Sequence, residues 1–284
     1  MKRSFWATIV LFLSVAILPN TVLAWNADGH RIVAQIAYDN LTPAARQKVT
    51  QQMQQFNAIY PKNANFIDAA TWPDVLKLQG VTAFNSWHWI NMGYSQQGAR
   101  YYRPQQQNVV WAINQAQKVL ANSNATPFDQ ALFLAFLIHF TGDIHQPLHC
   151  ISLYNRQFPQ GDTGGHDYTV QAGYGDNLHS YWDQGVGYFS ADGRRYPLSS
   201  DQVTQLAKQI EVKYPESYFG PQAHDLNPYD WAHESYTIAK TFVYTIPFNS
   251  TPTPQYVAQG QQIVQQRLAL AGYRLANVLN QIDG

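Results

Sequence analysis

Two His–Asp pairs, each spaced four residues apart, hold the reactive chemistry of this sequence. Within residues 138–149 (IHFTGDIHQPLH) the pair is His139 and Asp143, and within 177–183 (NLHSYWD) it is His179 and Asp183. On a helix that spacing puts an imidazole and a carboxylate on one face, a turn apart, where they can grip one cation. One such pair alone would as readily be a buried histidine satisfied by a carboxylate. The pairs have company, however: His149 follows Pro147, Asp74 closes Ala-Thr-Trp-Pro-Asp, His88 sits in Ser-Trp-His-Trp-Ile, and His30 lies upstream. Gly142 leaves room for another element or ligand, and Pro147 ends the helix and sends His149 onto a separate path, which suits more than one ion. The only cysteine is Cys150, so disulfides and thiolate clusters are excluded. Imidazole and carboxylate suit zinc, with manganese and iron left open by ligand type.

The amino end offers a further donor. Lys2 and Arg3 precede an almost wholly apolar run over 5–18, then Pro19 and Asn20, and Val22-Leu23-Ala24 supplies small residues where a signal peptidase reads. This is the pattern of a secretory signal cut after Ala24. The apolar run falls short of the ~20 residues a membrane span needs. Residues 1–24 are therefore expected to be removed, leaving 25–284 as a secreted or periplasmic product with no membrane anchor. Cleavage would give Trp25 a free α-amine beside its carbonyl oxygen, a chelating pair that no internal residue offers.

Helices must bring these segments together. Of 284 residues, 45% are hydrophobic and 14% aromatic, enough for a sizeable core. Lys+Arg and Asp+Glu are both 18, which excludes a polybasic nucleic-acid coat. Apolar residues recur at helical spacing in Ile32, Val33, Ile36 and Ala37. Thr42-Pro43 reads as an N-cap and first-turn proline opening a helix over 42–53. Further helices are expected over 109–120, 230–244 and 255–282, with the most apolar, 127–140, as the central buried helix and about a turn longer than its periodic part. The glycine-rich stretch 158–176 reads as a loop with a short hairpin at 168–171. The expected fold is mainly α, a single helical domain over 25–284 with one or two short hairpins.

At these motifs the chain resembles a known family, the secreted zinc-dependent single-strand nucleases of fungi, plants and bacteria, which share a helical fold with bacterial zinc phospholipases C. The resemblance rests on Trp-Asn-Ala-Asp-Gly-His from Trp25, His-Phe-Thr-Gly-Asp-Ile-His-Gln-Pro-Leu-His from His139, and Asn-Leu-His-Ser-Tyr-Trp-Asp from Asn177. It implies three zinc ions. The first would take Asp74, His88, His139 and Asp143; the second His149, His179 and Asp183; the third the Trp25 amine and carbonyl, His30, and Asp143 as a bridge. The chain departs from the family pattern in two places, with His166 after Gly164-Gly165 where the family has Asn, and Asn91 where fungal members carry an Asp that reads a base edge. An amide donates and accepts where a carboxylate only accepts, so base preference is left open.

The implied reaction is hydrolysis of phosphodiesters in single-stranded DNA and RNA to 5′-phosphate products, with removal of 3′-phosphate from mononucleotides and no obligate protein partner. Cations lower the pKa of bound water towards ~7 and neutralise charge on phosphoryl oxygens. Asp74 is a candidate to orient the nucleophile, Lys77 to reach a phosphoryl oxygen, and Trp89 to stack on an unpaired base. His166 and Asn91 are candidates for contacts beside the site. The cations would draw phosphate locally on a neutral protein, with no need of a basic face. A zinc phospholipase C is the nearest rival, and a zinc-binding module without activity the next.

Overall fold

The computed structural model describes residues 25–61, 65–173 and 175–283; the expected signal segment lies outside them. Asn26 opens α1 (Ala27–Asp39) by accepting the backbone N–H groups of Asp28 and Gly29. The Thr42-Pro43 cap opens α2 (Pro43–Asn57), one turn longer than its periodicity suggests. Two short helices follow, α3 (Phe66–Ala69) and α4 (Trp72–Leu78), and then strand β1 (Met92–Ser95). Asn108 caps α5 (Val109–Leu120), and Thr126 caps α6 (Pro127–His145). Beyond strand β2 (Ile151–Tyr154) lie α7 (Leu178–Asp183), α8 (Ser200–Lys213) and α9 (Glu216–Phe219). The chain closes with α10 (Pro228–Thr241) and the thirty-residue α11 (Pro254–Asp283). The fold is mainly helical, as the periodicity indicates.

Helix α6 is the axis. It is apolar on all sides and buried without a break from Leu134 to His145, the behaviour of a helix surrounded by other helices. Helices α5, α2, α11 and α10 pack around it, and α1 lies between α11 and α8. One apolar cluster gathers Phe136, Phe140, Trp72 and Phe56; a second gathers Trp25, Trp182, Phe189 and Tyr256. His139 and Asp143 belong to the helix of the first, and His179 and Asp183 alternate with members of the second.

The strands differ in pairing from the hairpin expected. β1 and β2 run parallel, with Met92 opposite Ile151 and Ser95 opposite Tyr154. Parallel strands need a long crossover, here supplied by α5 and α6. Among the described residues, 168–171 forms one antiparallel bridge, between Thr169 and Asn177, while Thr169 and Gln171 also bond to the backbone of Asn249 and Ser250.

A buried charge network clamps the C-terminal end of α6. Arg274 makes a bidentate pair with Glu234 at 2.7 Å and 2.7 Å, and Arg267 adds a third bond at 2.9 Å. Arg267 Nε donates to the His145 carbonyl at 3.2 Å, setting positive charge at the negative end of the helix dipole. Burial opposes the charge on Glu234, but the hydrogen bonds from Arg274 and the charges of both arginines outweigh it and hold the carboxyl at about 2. A carboxyl depressed from its ordinary 4.5 stabilises the fold above about pH 4.5, and that stability is lost as pH falls towards about 2. Glu234→Gln should therefore cost roughly 3 kcal/mol at neutral pH, because two buried guanidinium groups lose their countercharge. Urea unfolding at pH 7 and pH 3 checks this: the gap in midpoint between the two should shrink in the variant, and an unchanged gap would remove Glu234 from the account.

Candidate metal centre

Six elements converge on one buried cluster. Helix α6 presents His139 and Asp143 on one face, and α1 brings His30 against them. Asp74 lies in the first turn of α4, directly behind Pro73. His88 ends a short 3-10 turn, and His149 sits in another that starts where Pro147 stops α6. Asn177 caps α7, which carries His179 and Asp183. All are buried.

Asp143 sits at the middle. Its Oδ2 lies 3.0 Å from His88 Nδ1 and 3.2 Å from His139 Nε2, and its Oδ1 lies 3.4 Å from His30 Nε2. Asp74 Oδ1 is 3.8 Å from His139 and 3.9 Å from His88. In the second half, the Nε2 atoms of His149 and His179 face each other at 3.2 Å, with Asp183 Oδ2 3.4 Å from His179. The donor atoms form three groups, each within 4.8 Å: His30 with Asp74 and His139, His88 with His139 and Asp143, and His149 with His179 and Asp183.

Hydrogen bonds fix which nitrogens point inward. Nδ1 of His139 donates to the Ala70 carbonyl at 2.7 Å, that of His149 to the His88 carbonyl at 2.7 Å, and that of His179 to the Gly164 carbonyl at 2.6 Å. In the neutral ring each leaves a bare Nε2 lone pair aimed at the cluster, the tautomer a metal requires. Gln146 steadies Asp183 by donating to its Oδ1 at 2.6 Å. The sequence pattern missed Ala70, Gly164 and Gln146, since two of them act through backbone carbonyls that no side-chain motif reveals.

A cation fits this arrangement. Two imidazole lone pairs and a carboxylate, crowded together in the second half, repel one another unless positive charge joins them. Both ring nitrogens of His30, Asp74 Oδ1 and Asp143 Oδ1 are buried with no hydrogen-bond partner. Electrostatics agree. Burial opposes the charge on His139, yet Asp143 and Asp74 overcome it and hold the imidazole at about 9, so this spot attracts positive charge, whether proton or metal ion. Burial raises the Asp74 carboxyl to about 6 and pushes Asp183 up as well.

Gly142 makes the approach of His30 possible. A Cβ there would lie 2.7 Å from His30 Nδ1 and 3.1 Å from its Cε1, and the His30 ring is itself stacked on His139 at 4.0 Å. Gly142→Ala should push His30 away and weaken metal binding by roughly 10- to 100-fold, the range seen when support of a ligand is lost. Competition with a chelator measures it; an affinity within about twofold of the parent would show that α1 and α6 yield easily.

The other singled-out residues ring the cluster. Trp25 is fully buried, and the next residue, Asn26, donates its backbone N–H to the Asp183 carbonyl at 2.9 Å, tying the start of the described chain to α7. The His166 ring stacks on His179 at 3.7 Å, and burial drives its pKa down to about 3. The Lys77 ammonium lies 5.6 Å from the centre of the Trp89 ring. Trp89 and Asn91 line a cavity of about 230 Å³ together with Arg103, Asn108 and Tyr154. The last three join from distant segments and carried no signal in sequence. His145, by contrast, is structural: its Nδ1 donates to the Thr141 carbonyl and its Nε2 accepts from Arg274.

Residues 25–283 match the S1/P1 Nuclease family. Among similar proteins, Endonuclease 4 of Arabidopsis thaliana is 29% identical, the match covering 98% of this chain and 94% of that protein. Nuclease P1 of Penicillium citrinum is 25% identical over 92% of this chain and 98% of its own length. Nuclease S1 of Aspergillus oryzae is 27% identical over 93% and 94%.

Proposed function

The chain belongs to the S1/P1 nuclease family, a family of nucleic-acid hydrolases, and from that premise we propose that it is a zinc-dependent endonuclease that cuts single-stranded DNA and RNA to 5′-phosphate products and removes 3′-phosphate from mononucleotides. The observation that carries this reading is the convergence of His30, Asp74, His88, His139 and Asp143 with His149, His179 and Asp183 in one buried cluster. Three zinc ions would be held: by Asp74, His88, His139 and Asp143; by His149, His179 and Asp183; and by His30, Asp143 and the freed amine and carbonyl of Trp25. Bound zinc would supply hydroxide near neutral pH and countercharge for the phosphoryl oxygens.

The protein's own groups do the rest. Asp74 accepts a hydrogen bond from the attacking water and orients it towards phosphorus. Lys77, one turn further along α4, offers its ammonium to a phosphoryl oxygen. A base enters the cavity beside Trp89 and stacks there, a contact worth ~1–3 kcal/mol and indifferent to sequence. Asn91 meets the base edge, and His166 borders the second group of ligands. A base can enter that cavity only when unpaired, which supports a preference for single strands. No helix among the described residues is long and apolar enough to cross a membrane. With that, and a signal cut after Ala24, we place residues 25–284 outside the cytoplasm as one nuclease domain without an obligate protein partner.

Hydrolysis of single-stranded DNA, duplex DNA, a 3′-mononucleotide and phosphatidylcholine at equal enzyme, with and without a chelator, tests the reading. Chelator-sensitive cleavage of the single strand and the mononucleotide is expected. Lipid cleavage without DNA cleavage would favour a phospholipase instead.

A further inference from the structure

The neutral total charge conceals a segregation. No Asp or Glu occurs between Asp74 and Asp129, a stretch that holds Lys77, Arg100, Arg103 and Lys118; the stretch between Asp143 and Asp162 is likewise acid-free and holds Arg156. The fold brings these two stretches side by side, because β1 and β2 are their paired strands. Each strand starts near the metal centre: β1 begins four residues after His88, and β2 two residues after His149. The parallel pair therefore leads away from the cluster in one direction, four residues long, or about 13 Å at about 3.3 Å per residue.

The far end, and the segment that returns beside the strand, are basic and aromatic. After β1 the chain turns, Gln96 donating its N–H to the Tyr154 carbonyl and Ser95 its hydroxyl to that of Ala99, and returns as Arg100-Tyr101-Tyr102-Arg103. Tyr101 and Tyr102 are 57% and 61% exposed, and their rings lie 6.4 Å and 6.3 Å from that of Tyr154. The Tyr101 ring lies across Gly93, where any Cβ would collide with it, so the ring is fixed to the strand. Arg100 and Arg156 are exposed, and neither is ion-paired among the described residues. Fixed aromatic faces interleaved with exposed guanidinium groups are the combination that holds an extended single strand, rings under bases and cations along phosphates.

We propose that Arg100, Arg156 and Tyr101 form a strand-holding surface that grips a single-stranded polynucleotide beyond the linkage cut at the metal centre. The inference rests on the nuclease reading and adds to it. The surface continues from the cavity beside Trp89, whose wall already includes Tyr154 and Arg103. On this proposal a dinucleotide occupies the cluster and that cavity alone. A longer strand reaches both, so long single strands are the better substrates.

Steady-state kinetics of the mature protein and of the Arg100→Gln/Arg156→Gln double variant test this. The substrates are a thymidine dinucleotide and a thymidine oligomer of about twenty nucleotides, longer than the ~4–16 nucleotides such surfaces cover. For the variant, the oligomer KM should rise several-fold at low salt. The dependence of log KM on log salt should become shallower by about 1.4, at roughly 0.7 for each of the two phosphates no longer neutralised. The dinucleotide kinetics and the oligomer kcat should not change. Cleavage of both substrates with an unaltered oligomer KM and salt slope overturns the surface and leaves the nuclease reading standing. Failure of the parent protein to cut either substrate overturns the reading and the surface together.

Discussion

Asp143→Ala should abolish nearly all phosphodiesterase activity and remove more than one metal ion per chain. Its two oxygens serve different neighbours, Oδ2 facing His88 and His139 at 3.0 Å and 3.2 Å, and Oδ1 facing His30 at 3.4 Å. No other carboxylate of the cluster spans two ligand groups so closely. Cation stabilisation of a phosphoryl transition state is worth several kcal/mol, and each ~1.4 kcal/mol is tenfold, so the loss should be on the order of 10³-fold or more. Asp183→Ala is the comparison. Among the described residues the Asp183 carboxylate accepts from Gln146 and faces His179 within a single ligand group, so its removal should release a single ion. Metal analysis of both purified variants beside a single-strand cleavage assay decides it. Equal ion loss in the two, or an Asp143→Ala protein that keeps most of its activity, would end the bridging role.

The second large effect concerns the amino end. One residue left ahead of Trp25 turns its amine into an amide, which cannot donate a lone pair to a metal. Metal content should fall by one ion per chain and activity by on the order of 10²-fold or more, again by the charge stabilisation lost. Proteolytic trimming that exposes Trp25 as the first residue should restore both. The surroundings offer little tolerance: Trp25 is fully buried, and Asn26 is bonded to α7 and caps α1. An extended protein that binds and cuts like the trimmed one would show that the third ion needs only His30 and Asp143.

Much of this site is legible in the linear chain because helices convert spacing into direction. His139 with Asp143, and His179 with Asp183, face together for the reason the four-residue spacing gives. The Thr42 cap is local and readable in the same way, whereas the caps at Asn26 and Asn177 came with the structure. What was hidden depends on partners far apart along the backbone. The parallel pairing of β1 with β2 spans a crossover of two helices, and the short apolar runs give no hint of direction. The Arg267–Glu234–Arg274 clamp unites α10 and α11 at the foot of α6, and its arginines look like surface residues until the packing is seen. The cavity beside Trp89 takes Arg103 and Tyr154 from segments that no motif connects.

The carbonyls of Ala70, His88 and Gly164 that orient the imidazoles sit on three loops scattered along the chain, and their histidines on other elements again. With Cys150 the sole cysteine, the protein has no covalent staple to hold those stretches together. Bound ions would do that job, so thermal resilience should track the supply of free metal in the medium, rising by RT ln(1 + [L]/Kd) for each ion held only by the folded state. Scarcity of zinc would then shorten the working life of the enzyme as well as slow it.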